Sequence, residues 1–376
     1  MRNRRFIAGI LIGLCLAAIV LPLMDHIKAV RARRGPIVSE CDGAITEMVV
    51  QYLAEAEPIA AKALRDFLRQ LPPGIRVWVV CPEPAAYDNF LAHIGPVKCA
   101  LTPLMTRHAM TTWSRDRWVA LAAAGIGRPA TLLSPRAEGG AEIWPQRAGD
   151  ARIADDLALA GSGIRSERLA LYFDGGDFCA DDRTVFVAPS VLRRNIQRTV
   201  RDREELLDLL ARLLGRRVIL FDEAPDHHVA MYMTPVGDDA VLVGDPALAQ
   251  EILRKNGEDH ATCCPTGGGD DFTPATRARF DAVAAQCGAA GYRVVRIPVV
   301  PGCDGRTWLT WTNVVMDQRS GHRIAYLPRY GKLTALDEAA AEIWSGLGYE
   351  IRPVDCSAVY PNFGSLGCLV NVLRRG

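Results

Sequence analysis

Hydrophobic and polar positions change period several times along the chain, and each change predicts an element. Phe6–Met24 runs nineteen residues without a charge, enough at 1.5 Å per residue for a helix to cross a bilayer. Arg2, Arg4 and Arg5 precede this span, and Lys28, Arg31, Arg33 and Arg34 follow it, so the two basic flanks nearly cancel as topology signals. Residues 1–35 are expected to form a transmembrane anchor or a signal helix ending in a basic linker at Arg31–Pro36, with the globular part extracytoplasmic or secreted. Residues 36–376 are expected to form a single domain. Within it, Met48, Leu53, Ala60, Leu64, Phe67 and Leu68 fall at helical spacing, which predicts a helix over Ile45–Leu71 that stops at Pro72-Pro73-Gly74. A short strand is predicted at Arg76–Val80.

From Arg168 onward one pattern repeats. Arg168–Phe173 and Thr184–Ala188 read as β runs joined into a hairpin by the turn-rich stretch DGGDFCADD. Asp202 then stands as an N-cap, with Glu204 and Glu205 in the first turn. Leu206, Leu207, Leu210, Leu213 and Leu214 share one face, and Gly215 ends the helix before a strand at Arg217–Phe221. A second pass predicts strands at Val229–Pro235 and Ala240–Gly244 around Gly237-Asp238-Asp239, a helix at Pro274–Ala289 and a strand at Tyr292–Val299. A third predicts Trp308–Asp317, a turn at Arg319–Gly321, Arg323–Pro328, a helix at Ala335–Leu347 and Tyr349–Val354. Helices set between strands argue for an α/β fold, and the recurring ββαβ unit argues for modules arranged about an axis.

Composition narrows the function. At 49% hydrophobic and 23% charged the chain is an ordinary globular protein, which excludes disordered, collagen-like and disulfide-miniprotein classes. Lys and Arg number 44 against 43 Asp and Glu, a formal charge of +1. No overall field draws nucleic acid, so function belongs to a local pocket. Of the eleven cysteines, Cys15 lies in the apolar span. In an exported domain the candidate disulfides are Cys81 with Cys99, and Cys263 or Cys264 with Cys287 or Cys303. His260, Cys263 and Cys264 lack the second spaced pair of a zinc site, and Gly267-Gly268-Gly269 lacks the Lys-Ser/Thr of a phosphate loop. No metal or cofactor is expected.

Four short segments carry chemistry. Trp113-Ser114-Arg115-Asp116 sets a carboxylate beside basic residues. Asp174-Gly175-Gly176-Asp177 places two carboxylates around glycines that permit close backbone approach. Asp226-His227-His228-Val229-Ala230-Met231 opens on paired histidines, and Gly364-Ser365-Leu366-Gly367-Cys368 leads into the apolar strand Leu369–Leu373. Singly, each has a bland reading: a surface ion pair, a hairpin turn, a solvated histidine pair and a buried apolar cysteine.

In this order the four segments resemble the guanidino-group-modifying, or pentein, superfamily, most of all its agmatine deiminase-like and peptidyl-arginine deiminase-like bacterial proteins. Trp311-Thr312-Asn313, Leu327-Pro328-Arg329-Tyr330 and Cys368-Leu369-Val370-Asn371-Val372 extend the likeness over residues 76–376. The resemblance implies a five-bladed, pseudo-symmetric α/β propeller of ββαβ units. It also implies a deiminase that hydrolyses a small guanidino substrate or peptidyl arginine, releasing ammonia through a covalent cysteine intermediate. By motif, Cys368 is similar to the nucleophile, His228 to the acid/base, Asp174 to the carboxylate that orients it, and Asp116 to a carboxylate that grips the guanidinium. Trp113 and Asp177 are placed with Asp116 as substrate contacts. The chemistry suits the residues, because a planar, permanently charged guanidinium calls for carboxylates that accept its forked N–H groups. Two positions depart from the pattern. Ala230 stands where the family's His-x-Asp carboxylate is usual, with Asp177 or Asp226 as candidate substitutes, and Gly367 precedes Cys368 where many relatives carry His. The segment is read as the start of a strand, so two-residue alternation is expected to point an Asp introduced at 230 to the same face as His228, towards the pocket. An amidinotransferase and a non-catalytic binding protein of the same fold are the alternatives.

Overall fold

The computed structural model describes residues 34–125, 128–138, 143–258, 263–265, 268–331 and 333–376. Its strands form five separate sheets. In order across each, the first holds β1 (Arg34–Ile37), β5 (Val119–Ala123), β6 (Ala130–Ser134) and β7 (Ile164–Arg168). The second holds β10 (Arg217–Leu220), β9 (Thr184–Val187) and β8 (Phe178–Ala180). The third holds β11 (Met233–Gly237), β12 (Ala240–Asp245), β13 (Arg293–Pro301) and β14 (Trp308–Thr310). The fourth holds β15 (Val315–Arg319), β16 (His322–Arg329) and β17 (Tyr349–Asp355). The fifth joins the two ends of the described chain, β18 (Val370–Arg375) lying beside β2 (Ile45–Gln51), β3 (Arg76–Cys81) and β4 (Ala100–Met105).

Every sheet contains the same unit, an antiparallel pair followed by a parallel neighbour: β5-β6-β7, β8-β9-β10, β11-β12-β13, β15-β16-β17 and β18-β2-β3. Parallel neighbours need a crossover, and helices supply it. In chain order these are α1 (Glu57–Leu68), α3 (Pro145–Asp150) with α4 (Ile153–Leu159), α5 (Pro189–Asn195) with α6 (Arg203–Leu214), α7 (Pro246–Lys255) with α8 (Pro274–Ala289), and α9 (Thr334–Gly346); α2 (Pro84–Ile94) joins β3 to β4. Asp202 accepts from the Glu205 N–H and Gly215 adopts the left-handed C-terminal conformation, both as expected from sequence.

Hydrogen bonds tie each sheet to the next and the last to the first. Glu40 N–H reaches the Ala180 carbonyl (2.7 Å), and Tyr292 OH reaches Asp181 (2.6 Å). Tyr349 OH reaches the Val236 carbonyl (2.9 Å), Ile45 N–H reaches Asp317 (2.7 Å), and Asn371 reaches the Trp118 carbonyl (3.3 Å).

Several expectations are corrected. Ile45–Gln51 is a strand, and the helix starts only at Glu57, after a turn at Ala54–Ala56. In the strand, Met48, Val49 and Val50 sit between β18 and β3, buried on both faces, where an apolar run loses its two-residue alternation. The basic linker is in part an edge strand, since Arg34–Ile37 pairs with β5, so the boundary at residue 35 cuts through β1. The expected membrane span lies outside the described residues, among which no helix is long and apolar enough to cross a membrane. The first hairpin is shifted along the chain: its arms are Phe178–Ala180 and Thr184–Val187, and Asp181 holds the turn by accepting the Arg183 and Thr184 N–H groups. Helix α7, capped by Asp245 with Pro246 behind it, was not foreseen. Cys81, Cys99, Cys264, Cys287 and Cys303 are free thiols.

Candidate active site

Each ββαβ unit enters its first strand through a turn, and the five turns meet. They are Trp113–Arg117 before β5, Asp174–Asp177 before β8, His228–Met231 before β11, Thr312–Val314 before β15, and Ser365–Leu369 before β18. Hydrogen bonds to main-chain carbonyls stitch them together. Arg115 N–H bonds the Cys368 carbonyl (3.3 Å) and Gly175 N–H the Asp116 carbonyl. Gly367 N–H bonds the Asn313 carbonyl (3.3 Å), and Thr312 Oγ1 donates to the Ala230 carbonyl (2.8 Å). The four motifs read from the sequence are therefore equivalent positions of successive modules, and the fourth module contributes Asn313.

The glycines are required by close approach. A Cβ at Gly175 would overlap the Arg115 and Trp118 carbonyls, and one at Gly176 would overlap the His228 imidazole. Gly176→Ala is expected to lower kcat about 100-fold by displacing that ring, since misplacement by an ångström costs this much. The far-ultraviolet circular dichroism should be unchanged. Full kcat in this variant would refute the close-packing role of Gly176.

The turns open on a cavity of about 990 Å³ whose lining includes Trp113, Asp116, Asp174, His228 and Cys368. Cys368 Sγ lies 3.7 Å from Asn313 Oδ1 and is near enough to His228 to favour the charged ring. His228 Nδ1 is 3.7 Å from Asp116 Oδ1, and its Nε2 is 4.0 Å from Asp174 Oδ2. Burial opposes a charge on His228, but Asp116, Asp174, Cys368 and Asp177 outweigh it and hold the ring's pKa well above its ordinary value. Burial likewise works to raise Asp174, and the neighbouring His228 with the charges of Arg147 and Arg117 holds its carboxyl far below the usual range. His227 behaves differently. Burial and the adjacent His228 push it down to about 3, so it is neutral, accepting His228 N–H at Nδ1 (2.8 Å) and facing the Arg306 carbonyl through Nε2 (3.3 Å).

Other expected residues lie elsewhere. Asp177 does not line the cavity; it accepts the Asp174 N–H (2.8 Å) and the Ser190 hydroxyl (2.8 Å), closing the turn that presents Asp174. Asp226 is exposed and paired with Arg193, so it replaces no lost carboxylate in the cavity. Val229–Met231 is a 3₁₀ turn and not a strand, so two-residue alternation does not place position 230 beside His228, and Ala230 does not line the cavity.

Sequence reasoning missed a set of internal guanidiniums. Arg147 bridges Asp116 and Asp174, the latter at 3.0 Å. Arg117 (2.8 Å) and Arg194 (3.2 Å) also reach Asp174, and both pair with Glu138. Arg147 rides on α3, which Asp150 anchors by accepting from Thr111 N (2.8 Å), Thr111 Oγ1 (2.7 Å) and Gln51 Nε2 (2.8 Å). Burial pushes the Asp150 carboxyl up to about 7 against those bonds. The only sequence signal for α3 is Pro145 at its first turn. Asp116 Oδ1 is buried, accepts no hydrogen bond among the described residues, and faces His228 Nδ1.

No protein-family model matches the chain, and no curated protein matches it. Solved structures do. Agmatine deiminase of Enterococcus faecalis aligns with 92% of this chain and 96% of its own at 15% identity and a TM-score of 0.67. The agmatine deiminase of C. jejuni aligns with 91% and 96% at 14% identity and a TM-score of 0.66. At such identities the likeness is one of fold.

Proposed function

We propose that this chain, which has the pentein fold of the agmatine deiminases, is a thiol hydrolase that removes ammonia from a guanidino compound, its five sheets closing round the site as a five-bladed propeller. The observation that carries the reading is the arrival of Cys368, His228, Asp174 and Asp116 at one cavity from different modules, with Asp116 Oδ1 accepting no hydrogen bond among the described residues. Asp116 Oδ1 receives a substrate N–H and orients the guanidino plane. Cys368 Sγ, as thiolate, forms a bond to the guanidino carbon; a terminal C–N bond breaks, and cationic His228 gives its proton to the departing ammonia. The neutral ring then takes a proton from water, whose oxygen bonds to the same carbon. The C–S bond breaks, and a ureido product leaves. Each turnover consumes one water and releases one ammonia. Asp174, held ionised by its arginines, keeps the imidazole aligned and stabilises its charged form.

The test supplies agmatine, arginine, an arginyl peptide and guanidino acids to the full chain, following ammonia and ureido product, with quenched intact-mass spectra for an amidino adduct on Cys368. Ammonia with an adduct is expected. Neither signal from a folded protein would overturn the reading, and transfer of the amidino group to an added amine would reassign it as an amidinotransferase.

A further inference from the structure

Charge around the cavity points away from a substrate that is cationic at both ends. Three carboxylates line it, Asp116, Glu138 and Asp174, and each already carries at least one intrachain guanidinium. Against them stand four lining arginines and the charged ring of His228. Arg147 and Arg194 are spent on those carboxylates. Arg198 and Arg306 are not: among the described residues neither forms an ion pair, Arg306 having only the neighbouring Asp304, which accepts its main-chain N–H, and Arg198 lying over the Tyr172 ring with its guanidinium carbon 4.3 Å from the centroid. The Arg306 segment is held against the site, because its carbonyl faces His227. Both guanidiniums line the same cavity, and a guanidinium without a carboxylate partner is suited to donate to an oxyanion.

We propose that Arg198 and Arg306 form a tail subsite for an anionic group, so that the substrate is a guanidino acid, bearing a carboxylate or a phosphate-type oxyanion at the end remote from the reacting carbon. This inference rests on the reading of the site as a guanidino hydrolase. One guanidinium of the substrate meets Asp116 Oδ1, and its opposite end meets two cations. A second amine in the tail would face them with like charge.

The matched probes are 4-guanidinobutyrate, a guanidino phosphonate of the same length, and agmatine, which differ in the end group. Binding is measured by calorimetry on the Cys368→Ser chain, and turnover on the wild type. The acids are expected to bind at least tenfold more tightly than agmatine, with the advantage shrinking as salt is raised. Arg198→Gln and Arg306→Gln should each cut the ratio of acid to amine affinity at least fivefold. The stronger of the two acids identifies the oxyanion. Equal or tighter binding of agmatine, or an unchanged ratio in both variants, overturns the anionic subsite whether or not any compound is turned over. Preferred binding of the acids without ammonia release by the wild type leaves the subsite standing and removes the hydrolase reading.

Discussion

Cys368→Ser is expected to abolish ammonia release, by on the order of 10⁵-fold, because the hydroxyl is a far weaker nucleophile at an otherwise intact site. Its stability should change by less than about 1 kcal/mol, since a serine can still donate to Asn313. His228→Gln should cost about 10²–10⁴-fold, the usual range for a lost general acid. The pH profile separates the two. The first half-reaction needs the charged ring, so its rate in the wild type should hold through neutral pH and fall as pH rises through the elevated pKa of His228. The same group links to stability: its contribution is complete below its ordinary value of 6.5 and is lost as pH rises through the folded-state value. Residual ammonia release above a hundredth of wild type in Cys368→Ser would mean that the chemistry lies elsewhere.

Arg147→Met should have the largest effect on stability. Asp174 would keep Arg117 and Arg194, but Asp116 would lose the only ion-pair partner it has besides His228 among the described residues. Removing one member of a buried pair costs about 3–5 kcal/mol, because the remaining charge stays desolvated. The melting temperature should therefore fall by several degrees. Arg147→Lys should recover only part of it, since an ammonium lacks the fork that spans two carboxylates. The same variant frees acceptor oxygens and removes a positive charge from the cavity, so agmatine should bind at least tenfold more tightly than to the wild type. An unchanged melting temperature together with unchanged agmatine binding would show that the bridge is not formed in solution.

Local chemistry explains what could be read ahead of the structure. A cap such as Asp202, a helix stop such as Gly215 and the helix Pro274–Ala289 depend on residues a few positions apart, and they stand where the pattern put them. The same holds for the carriers of the site. Asp116, Asp174, His228 and Cys368 each lie in a short turn at the entrance to a strand, and the recurrence of the module brings equivalent turns together. Gly175 and Gly176 were visible as glycines, but the reason for them, a neighbouring carbonyl and the His228 ring, belongs to other modules.

What the sequence by itself determined was thus the α/β class, the repeating unit and most of the motif residues that come to line one cavity. Tertiary structure decided the rest. Ile45–Gln51 is a strand because it is enclosed between β18 and β3, and β18 comes from the far end of the chain. Asp177 became a turn-closing group because Ser190 and the Asp174 N–H take up its oxygens. Arg147 met Asp116 and Asp174 from a helix with no hydrophobic period of its own, so no spacing announced it. Periodicity and capping act over one turn or one pleat, whereas charge pairing in a cavity is set by which segments the fold brings within a few ångströms, and that distance is not written in any local run of residues.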